Sequence, residues 1–292
     1  MKKSDLIRIL EKMGFPVTPD KIHPFLNQED GEHYNVWKID VGNKPLVLKQ
    51  AKGHETDTYR TFFSQKYDYV PELIRVFETG EYAYLLMEYI DGDDLRICSR
   101  DKLVSALDAI IRMQRNWWQA DIAGDSCGYD FEQSLANRKN RLTYLNDPQL
   151  EKVYSDYLLA YHALPRTLCH DDLLPFNILI QEDRAVLIDW EYGGMLPYPT
   201  SIARLIAHGE ESQDAFFHMT QEDKNFAITY YYEQFIGTMG ISLDAYLSAI
   251  QLFLFYEYCE WVYVGNKYGN TSTLRYETYY RKAKELASRL GY

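Results

Sequence analysis

Four polar residues lie in an otherwise apolar segment of the sequence, CHDDLLPFNILIQEDRAVLIDWE, which covers residues 169–191. These residues are His170, Asp172, Asn177 and Asp189. Ionised aspartates are rarely buried without a partner, because removing a carboxylate from water costs several kcal/mol. The four side chains therefore need partners in the protein, a bound metal ion or a role in a reaction.

The spacing of these residues suits phosphoryl transfer from ATP. Asp172 lies five positions before Asn177, and Asp189 follows the turn QEDR, so two short strands flank a tight turn. Phosphoryl transfer uses an Asp to accept the hydroxyl proton, and an Asn and a second Asp to hold magnesium against the phosphates. Asp171 is a second candidate for the base, but the spacing to Asn177 favours Asp172.

The same reaction needs a cation near the phosphates, and Lys49 is placed to supply it. Lys49 lies in the strand-like segment PLVLKQ, and Glu55 at the start of the next helical segment is positioned to orient it. Asp57 competes with Glu55 for this pairing. Without the other motifs, Lys49 would be interpreted as a solvated strand residue and Glu55 as a first-turn helix carboxylate.

The elements that must position these residues change in character near residue 90. Residues 34–50 and 72–90 contain four strand-like runs, and ETDTYRTFFSQKY between them has helical spacing. Beyond residue 90, nearly everything outside residues 169–191 is helix-like. The order predicts an α+β fold, with a small antiparallel sheet and a helix in residues 1–90 and a larger, mainly helical lobe in residues 91–292.

Composition and charge restrict the function classes. The 292 residues are 46% hydrophobic and 25% charged, which is typical of a globular protein. A net charge of -12 argues against general binding to nucleic acid or to anionic membranes and favours a cationic small substrate.

Cysteine spacing and the terminal segment predict a cytoplasmic protein. Cys98, Cys127, Cys169 and Cys259 lie far apart without zinc-ligand spacing, so we expect reduced thiols. Charged residues interrupt the apolar start of the chain, which argues against a signal peptide. The sequence contains no uncharged apolar run of about 18 residues, so no membrane span is predicted.

Together these motifs resemble the aminoglycoside phosphotransferase and choline kinase family. His170, Asp172 and Asn177 match its HxDxxxxN catalytic loop, and LIDWE matches its metal-binding segment, with Asp189 as the principal ligand. The resemblance implies a two-lobed, protein-kinase-like fold with ATP and Mg²⁺ as cofactors. It implies that Asp172 is the catalytic base, that Asn177 and Asp189 bind magnesium, and that His170 shapes the loop. The alternative for His170 is an ordinary buried, hydrogen-bonded histidine.

The N-terminal lobe carries three further matches. DGEHYN resembles the family's nucleotide loop and ends at Asn35, and VLK resembles its lysine strand. LLMEYIDG resembles its hinge, which implies that the backbone of Glu88, Tyr89 and Ile90 meets adenine. These residues, with Lys49 and Glu55, form the predicted nucleotide site.

Two departures from the family pattern leave a second interpretation open. The nucleotide loop has a single glycine, Gly31, where the family often has a pair, and Ser201 in YPTSIARL stands where an Asp usually braces the catalytic loop. The alternative to an active kinase is therefore a catalytically weak pseudokinase that binds a nucleotide or ligand. A protein kinase is disfavoured because DWEYGGMLPYP leads directly into a helix, without a DFG-to-APE activation segment.

The acceptor site is predicted in the C-terminal lobe. In FYEYCEWVYVGNKY, Tyr256, Glu260 and Tyr263 share one helix face, and aromatic rings with carboxylates suit an ammonium group. The alternative is that this stripe is core in a tyrosine-rich chain. The predicted acceptor-binding residues are Glu191, Tyr256, Glu257, Glu260 and Trp261. An aminoglycoside, choline or another amino alcohol, or a sugar fits this prediction.

Overall fold

An antiparallel sheet precedes a mainly helical region in the computed structural model, which describes residues 2–26, 33–42, 44–122 and 129–292. This arrangement confirms the predicted α+β, two-lobed fold class. The predicted boundary at residue 90 stays a prediction. Gly31 of the nucleotide loop and Cys127 lie outside the described residues.

The N-terminal sheet has the strand order β1-β2-β3-β5-β4, and each pair of neighbours is antiparallel. Its strands are β1 (Ile22–Leu26), β2 (His33–Val41), β3 (Lys44–Gln50), β4 (Leu73–Glu78) and β5 (Ala83–Glu88). Leu48 of β3 packs in the core formed with helix α1 (Lys3–Met13). Because side chains alternate along a strand, Lys49 faces the opposite side of the sheet, where α2 (Glu55–Phe62) lies.

The segment predicted as helical between β3 and β4 forms a shorter helix than its aromatic spacing indicates. The structure ends α2 at Phe62, whereas the spacing extends to Tyr67. Tyr67 stacks on Tyr69 at 5.0 Å between ring centroids, and Phe63 lies edge-on to both rings. The periodic aromatics therefore reflect packing of rings beyond the helix end.

The C-terminal region combines helices with two small sheets. Its helices are α3 (Arg100–Asn116), α4 (Phe131–Leu142), α5 (Pro148–Ala163), α6 (Pro199–Ala207), α7 (Gln221–Gln234), α8 (Leu243–Tyr268) and α9 (Leu274–Arg289). Its strands are β6 (Asp93–Asp94), β7 (Arg166–His170), β8 (Ile178–Gln181), β9 (Arg184–Leu187) and β10 (Gly193–Pro197). Short 3₁₀ helices form at Pro19–Lys21, Pro175–Asn177, Trp190–Tyr192 and Ile236–Met239.

Local sequence signals set several helix ends. Asp147 caps α5 by accepting hydrogen bonds from two backbone N–H groups, and Pro148 occupies the first helical position. Ser242 caps the start of α8, and Gly269, with a φ of 72°, follows its last residue as the C-cap. No helix of the described residues is both long enough and apolar enough to cross a membrane.

The two small sheets bring together residues 169–191, which we call the catalytic segment after its predicted role. Strands β6, β8 and β9 form one sheet, and β8 and β9 are the predicted pair of short strands on either side of a turn. Strand β10 pairs with β7, with Gly193 opposite His170. This pairing places the residues that follow β7 beside the residues that precede β10.

Candidate active site

A partly buried ion triad joins the N-terminal sheet to the catalytic segment. Lys49 Nζ on β3 donates to Glu55 Oε1 at 2.7 Å and to Asp189 Oδ1 at 2.5 Å. Glu55 is the first residue of α2, and Asp189 follows β9. The structure thus pairs Lys49 with Glu55, the partner favoured over Asp57. The Asp189 side chain stays 38% exposed, whereas Glu55 is buried.

Lys49 and Asp189 stabilise each other's charged form, whereas burial and the charge of Asp189 raise the pKa of Glu55. Burial lowers the pKa of Lys49, but the charges of Glu55 and Asp189 outweigh it, so the pKa of Lys49 is raised. Burial also acts to raise the pKa of Asp189, and Lys49 outweighs it in the opposite direction, so this pKa is lowered. The ammonium and the Asp189 carboxylate therefore both remain charged at neutral pH.

His170 supports the loop that carries Asp189. Its ring is fully buried, and its Nε2 donates to the backbone oxygen of Ile188 at 2.8 Å. Burial lowers the pKa of His170, which keeps the ring neutral. The ring lies 4.7 Å from that of Trp190, whose Nε1 donates to the backbone oxygen of Leu187. These contacts fix the chain on both sides of Asp189, whose φ of 67° is left-handed.

Asn177 lies beside Asp189 and fits a magnesium site. Its amide nitrogen donates to the Asp172 backbone oxygen at 2.8 Å, so the amide oxygen is the atom left to bind a metal. Its backbone oxygen accepts from Ile188 N at 2.9 Å, which holds the two segments together. An amide oxygen and an ionised carboxylate are ligands that Mg²⁺ prefers.

The two adjacent aspartates of the catalytic loop each bind an arginine. Asp171 accepts from Arg138 Nη2 of α4 at 2.6 Å, and Asp172 accepts from Arg204 Nη2 of α6 at 2.7 Å. Asp172 is 28% exposed and Asp171 only 13%. Burial raises the pKa of Asp172, although Arg204 opposes it. Of the two candidate bases, Asp172 is thus the more accessible one.

Asp172 opens onto a cavity of about 580 Å³, which we call the Asp172 cleft. The cleft lies against α4 and α8, and its wall carries both arginines and carboxylates. It is lined by Tyr129, Asn137, Arg138, Asn140, Arg141, Asp171, Asp172, Glu191, Tyr192, Arg204, Tyr256, Glu257, Glu260, Tyr263 and Lys267.

The cleft brings together four of the five predicted acceptor-binding residues, namely Glu191, Tyr256, Glu257 and Glu260. Trp261 is absent from its wall, because the ring packs instead against Arg275 at 4.4 Å and near Tyr279 at 6.1 Å. The helical spacing was therefore insufficient to identify this residue's partners, since neighbouring positions on α8 face different elements.

The α8 residues in the cleft already have partners within the protein. Glu257 and Glu260 both bind Arg204, and Glu260 also lies 3.6 Å from Arg141. The Tyr256 ring stacks on Tyr157 at 4.7 Å, with the Arg138 guanidinium at the same distance from its centroid. Arg141 donates to its hydroxyl at 2.7 Å. The stripe is thus partly core, as the alternative interpretation held.

Sequence reasoning missed the arginines of the cleft. Arg138 and Arg141 come from α4, far from the motifs along the chain, and Arg204 comes from α6, within the segment YPTSIARL. Arg204 alone had a signal in the sequence, because it is the one charged residue in the apolar helix PTSIARLIA. Every other residue of α6 is buried.

Ser201 contacts the catalytic loop from the position where an Asp was expected. Its hydroxyl oxygen accepts from the backbone N–H of His170 at 2.9 Å. Ser201 is fully buried on α6. The shorter side chain of Ser201 therefore still contacts the end of β7.

The predicted adenine-binding hinge follows β5. Glu88 uses its carboxylate to bind Arg184 at 3.0 Å and its backbone N–H to bind Glu72 O. The Tyr89 ring lies under Lys38 Nζ at 4.5 Å, and Ile90 is buried.

Gly92 follows the predicted hinge, and Asn35 lies on β2, the strand next to β3. A Cβ at Gly92 would meet the Ile180 carbonyl oxygen at 2.6 Å, so only glycine lets the chain pass β8 this closely. Asn35 is exposed on β2, next to Val36, which pairs with Lys49 across the strands.

A comparison with protein families matches residues 27–232 to the phosphotransferase enzyme family. Among characterised proteins, the chain is similar to Protein LicA of Haemophilus influenzae, with 27% identity over 143 residues. That alignment covers 47% of this chain and 38% of LicA, so it spans less than half of either protein.

Solved structures match nearly the whole chain. An amicoumacin kinase in complex with AMP-PNP, Ca²⁺ and Ami has a TM-score of 0.65 at 16% identity, covering 98% of this chain and 94% of its own. A choline kinase from Cryptosporidium parvum has a TM-score of 0.62 at 16% identity, covering 99% and 97%. These matches confirm the protein-kinase-like fold.

Proposed function

Because the chain belongs to the phosphotransferase enzyme family, we propose that it transfers the γ-phosphate of ATP to a hydroxyl group of a polar, amine-bearing small molecule. One observation carries this proposal. Lys49 joins Glu55 and Asp189 within 2.7 Å, and the catalytic loop that supplies Asp172 to the neighbouring cleft also supplies Asn177. This is the arrangement that phosphoryl transfer needs.

On the nucleotide side, Lys49 binds phosphate oxygens, and Glu55 holds the ammonium in place. Asn177 and Asp189 hold Mg²⁺, which offsets the negative charge of the phosphates when it is bound. Asn35 and the backbone of Glu88, Tyr89 and Ile90 contact the nucleotide. A cytoplasmic location fits the use of ATP.

On the acceptor side, Asp172 orients the hydroxyl group and accepts its proton. Its carboxylate lies in the wall of the Asp172 cleft, whereas Asp171 is held by the buried Arg138. Because a general base must reach the proton that it removes, exposure to the cleft favours Asp172. His170 acts through the loop conformation and does not contact the acceptor.

Glu191 is the carboxylate best placed to meet an amine. The other four carboxylates of the cleft bind arginine, whereas Glu191 has no cation within 4.0 Å among the described residues. Burial and the charge of Asp189 raise the pKa of Glu191, so a cationic ligand would stabilise its ionised form.

Two rings beside Glu191 provide the aromatic surface for such a ligand. The Tyr192 side chain is exposed, and its ring lies edge-on to Tyr129 at 5.6 Å. An ammonium group over an aromatic face gains about 0.5–2 kcal/mol, depending on its desolvation. An aminoglycoside, choline or another amino alcohol, or an amino sugar has the required charge, and the choline kinase and amicoumacin kinase of similar fold agree with this range.

A pseudokinase remains the second candidate, and one observation favours it. The Arg204 guanidinium forms an ion pair with Asp172, which stabilises the carboxylate that is proposed to accept a proton. Arg204 makes Asp172 a weaker base than the same buried carboxylate would be without it, although burial keeps the pKa of Asp172 above its ordinary value.

The decisive experiment is a Mg²⁺-dependent ATP-consumption screen across aminoglycosides, amino alcohols, sugars and nucleosides. We expect turnover with at least one amine-bearing alcohol, loss of turnover with EDTA, and loss of turnover in Asp172→Asn. Asp171→Asn is the matched control. Nucleotide binding without turnover for any acceptor would favour the pseudokinase, and turnover only with neutral sugars would exclude the amine.

A further inference from the structure

Arg204 contacts the proposed base directly and also binds two carboxylates of α8. We infer that Arg204 is a positioning residue that fixes Asp172 for proton acceptance, and that Glu257 and Glu260 hold Arg204 and not the acceptor. The inference rests on the proposed function, because Arg204 is taken to act through the proposed base.

Both hydrogen bonds to the base go to the same carboxylate oxygen. Arg204 donates to Asp172 Oδ1 from Nη2 at 2.7 Å and from Nε at 3.2 Å. These bonds occupy Oδ1 and fix the plane of the carboxylate, so Oδ2 is the oxygen left to orient the acceptor hydroxyl. A carboxylate held on one oxygen needs less reordering when the acceptor binds.

The other edge of the guanidinium is bound to α8. Arg204 Nη1 donates to Glu257 Oε2 at 2.9 Å and to Glu260 Oε2. Burial lowers the pKa of Arg204, but the carboxylates of Glu260, Glu257 and Asp172 outweigh it and raise that pKa. Arg204 is 13% exposed, so these charges interact with little screening by water.

This geometry requires an arginine. A planar guanidinium presents its Nε and Nη2 along one edge and Nη1 on the other, so it binds Asp172 and α8 at the same time. A lysine ammonium carries the same charge but lacks the second edge. The charge and the geometry of the contact can therefore be separated by substitution.

A metal site is an alternative explanation for the cluster of carboxylates on α8. Ligand atoms of His208, Glu257 and Glu260 lie within 4.8 Å of one another. Arg204 Nη1 contacts all three side chains, with His208 Nε2 at 3.2 Å. The guanidinium thus supplies the positive charge that a metal would supply.

Arg204 acts from a helix that also holds the backbone of the catalytic loop. Ser201 lies three residues earlier on α6 and accepts from the N–H of His170. Residues three apart share one face of a helix, so α6 contacts both the backbone before the base and the side chain of the base. Movement of α6 would therefore displace Asp172.

A double-mutant cycle tests the inference. Arg204→Met, Asp172→Asn and the double variant are compared for kcat, for the KM of the acceptor and for the Kd of Mg²⁺-ATP. A base displaced by about 1 Å can lose about 10²-fold in rate, so we expect Arg204→Met to lower kcat by about ten- to a hundredfold. The Kd of Mg²⁺-ATP should stay the same.

The cycle separates positioning from a general structural effect. If Arg204 acts through Asp172, then adding Arg204→Met to Asp172→Asn should lower the residual kcat by less than about twofold. An equal loss in both backgrounds would overturn the inference. Arg204→Lys should recover only part of the loss, and it replaces Arg204→Met in the cycle if that variant does not fold. Full recovery by lysine would show that charge alone is needed and would also count against positioning.

A crystal structure of Arg204→Met, or of Arg204→Lys, tests the inference without any acceptor. We expect the Asp172 carboxylate to rotate away from its wild-type position, while the backbone from Cys169 to Asn177 is unchanged. A carboxylate that keeps its wild-type position would overturn the inference. If wild-type protein consumes no ATP with any acceptor, the proposed function fails, while this structure still decides whether Arg204 positions Asp172.

Discussion

On the proposed nucleotide side of the candidate active site, Lys49 lies between two carboxylates, and one of these, Asp189, is more than one-third exposed. On the acceptor side, Arg204 contacts three carboxylates and is itself almost buried. The first group retains a charged, accessible oxygen ligand, whereas in the second most charges are already paired within the protein.

This difference indicates how each side contributes to the proposed reaction. An accessible carboxylate beside a lysine can compensate the opposite charges of a metal ion and of phosphates that bind together. Buried ion pairs are already neutralised by each other, so they compensate little of the charge of a bound ligand, but they hold side chains in one geometry. The nucleotide side is therefore suited to binding charge, and the α8 wall of the acceptor side to fixing the base. Substitutions on the two sides should separate binding from turnover.

The largest effect is expected from Asp172→Asn, which removes the proton acceptor and keeps its shape. General-base assistance contributes about 10²–10⁴-fold, so kcat should fall by that factor. The Kd of Mg²⁺-ATP should be unchanged, because Asp172 lies outside the Lys49 triad. Steady-state kinetics and nucleotide titration measure the two quantities.

Asp171→Asn is the matched control, because it changes the neighbouring carboxylate in the same way. It leaves the buried Arg138 without its charge partner, so we expect a loss of unfolding free energy of up to about 3–5 kcal/mol with most of the kcat retained. Urea unfolding measures the stability. A reversed pattern, with kcat lost in Asp171→Asn and kept in Asp172→Asn, would transfer the role of base to Asp171.

The next largest effect is expected for nucleotide binding. Hydrogen bonds to charged groups contribute about 1.5–3 kcal/mol, so Asp189→Ala should raise the Kd of Mg²⁺-ATP by about ten- to 150-fold. Lys49→Ala should also weaken binding, but with less dependence on metal concentration. Titration of nucleotide with Mg²⁺ and with EDTA separates the two variants. Unchanged affinities in both would locate the nucleotide elsewhere.

The grouping of Lys49, Glu55, Asn177 and Asp189 was predictable from the sequence, because short motifs determine its geometry. Lys49 and Glu55 are six residues apart on a strand and the following helix, and one strand pair connects Asn177 to Asp189. Local secondary structure is sufficient to bring each of these pairs together. The fold class followed from the same strand and helix patterns.

The arginines of the acceptor side were not predictable in this way. Arg138, Arg204 and Glu257 lie on three helices that meet only through tertiary packing, and an arginine on a helix is more often solvated. For the same reason the sequence grouped Trp261 with Glu257 and Glu260, although the structure directs its ring to Arg275. A single charged residue in an otherwise apolar helix, such as Arg204, indicates that the residue has charged partners in the folded protein.

A smaller effect is expected from Glu191→Gln, and it tests which carboxylate meets the amine. Partly exposed ion pairs contribute up to about 1 kcal/mol, so the acceptor KM should rise about two- to fivefold with little change in kcat. Glu257→Gln is the matched comparison and should lower kcat while the acceptor KM stays the same. If Glu257→Gln raised the KM and Glu191→Gln did not, the amine would bind at α8 after all.

The smallest kinetic effect is expected from Trp261→Ala, which separates the helical stripe from the cleft. Trp261 contacts Arg275 and Tyr279, so its loss should remove packing and a cation–π contact without reaching the acceptor. We expect a loss of about 1–3 kcal/mol in the free energy of unfolding, with the KM of the acceptor and of ATP unchanged. Urea unfolding and steady-state kinetics on the same preparation measure both. A several-fold rise in the acceptor KM alone would instead return Trp261 to the acceptor site, because one lost cation–π contact accounts for a change of that size.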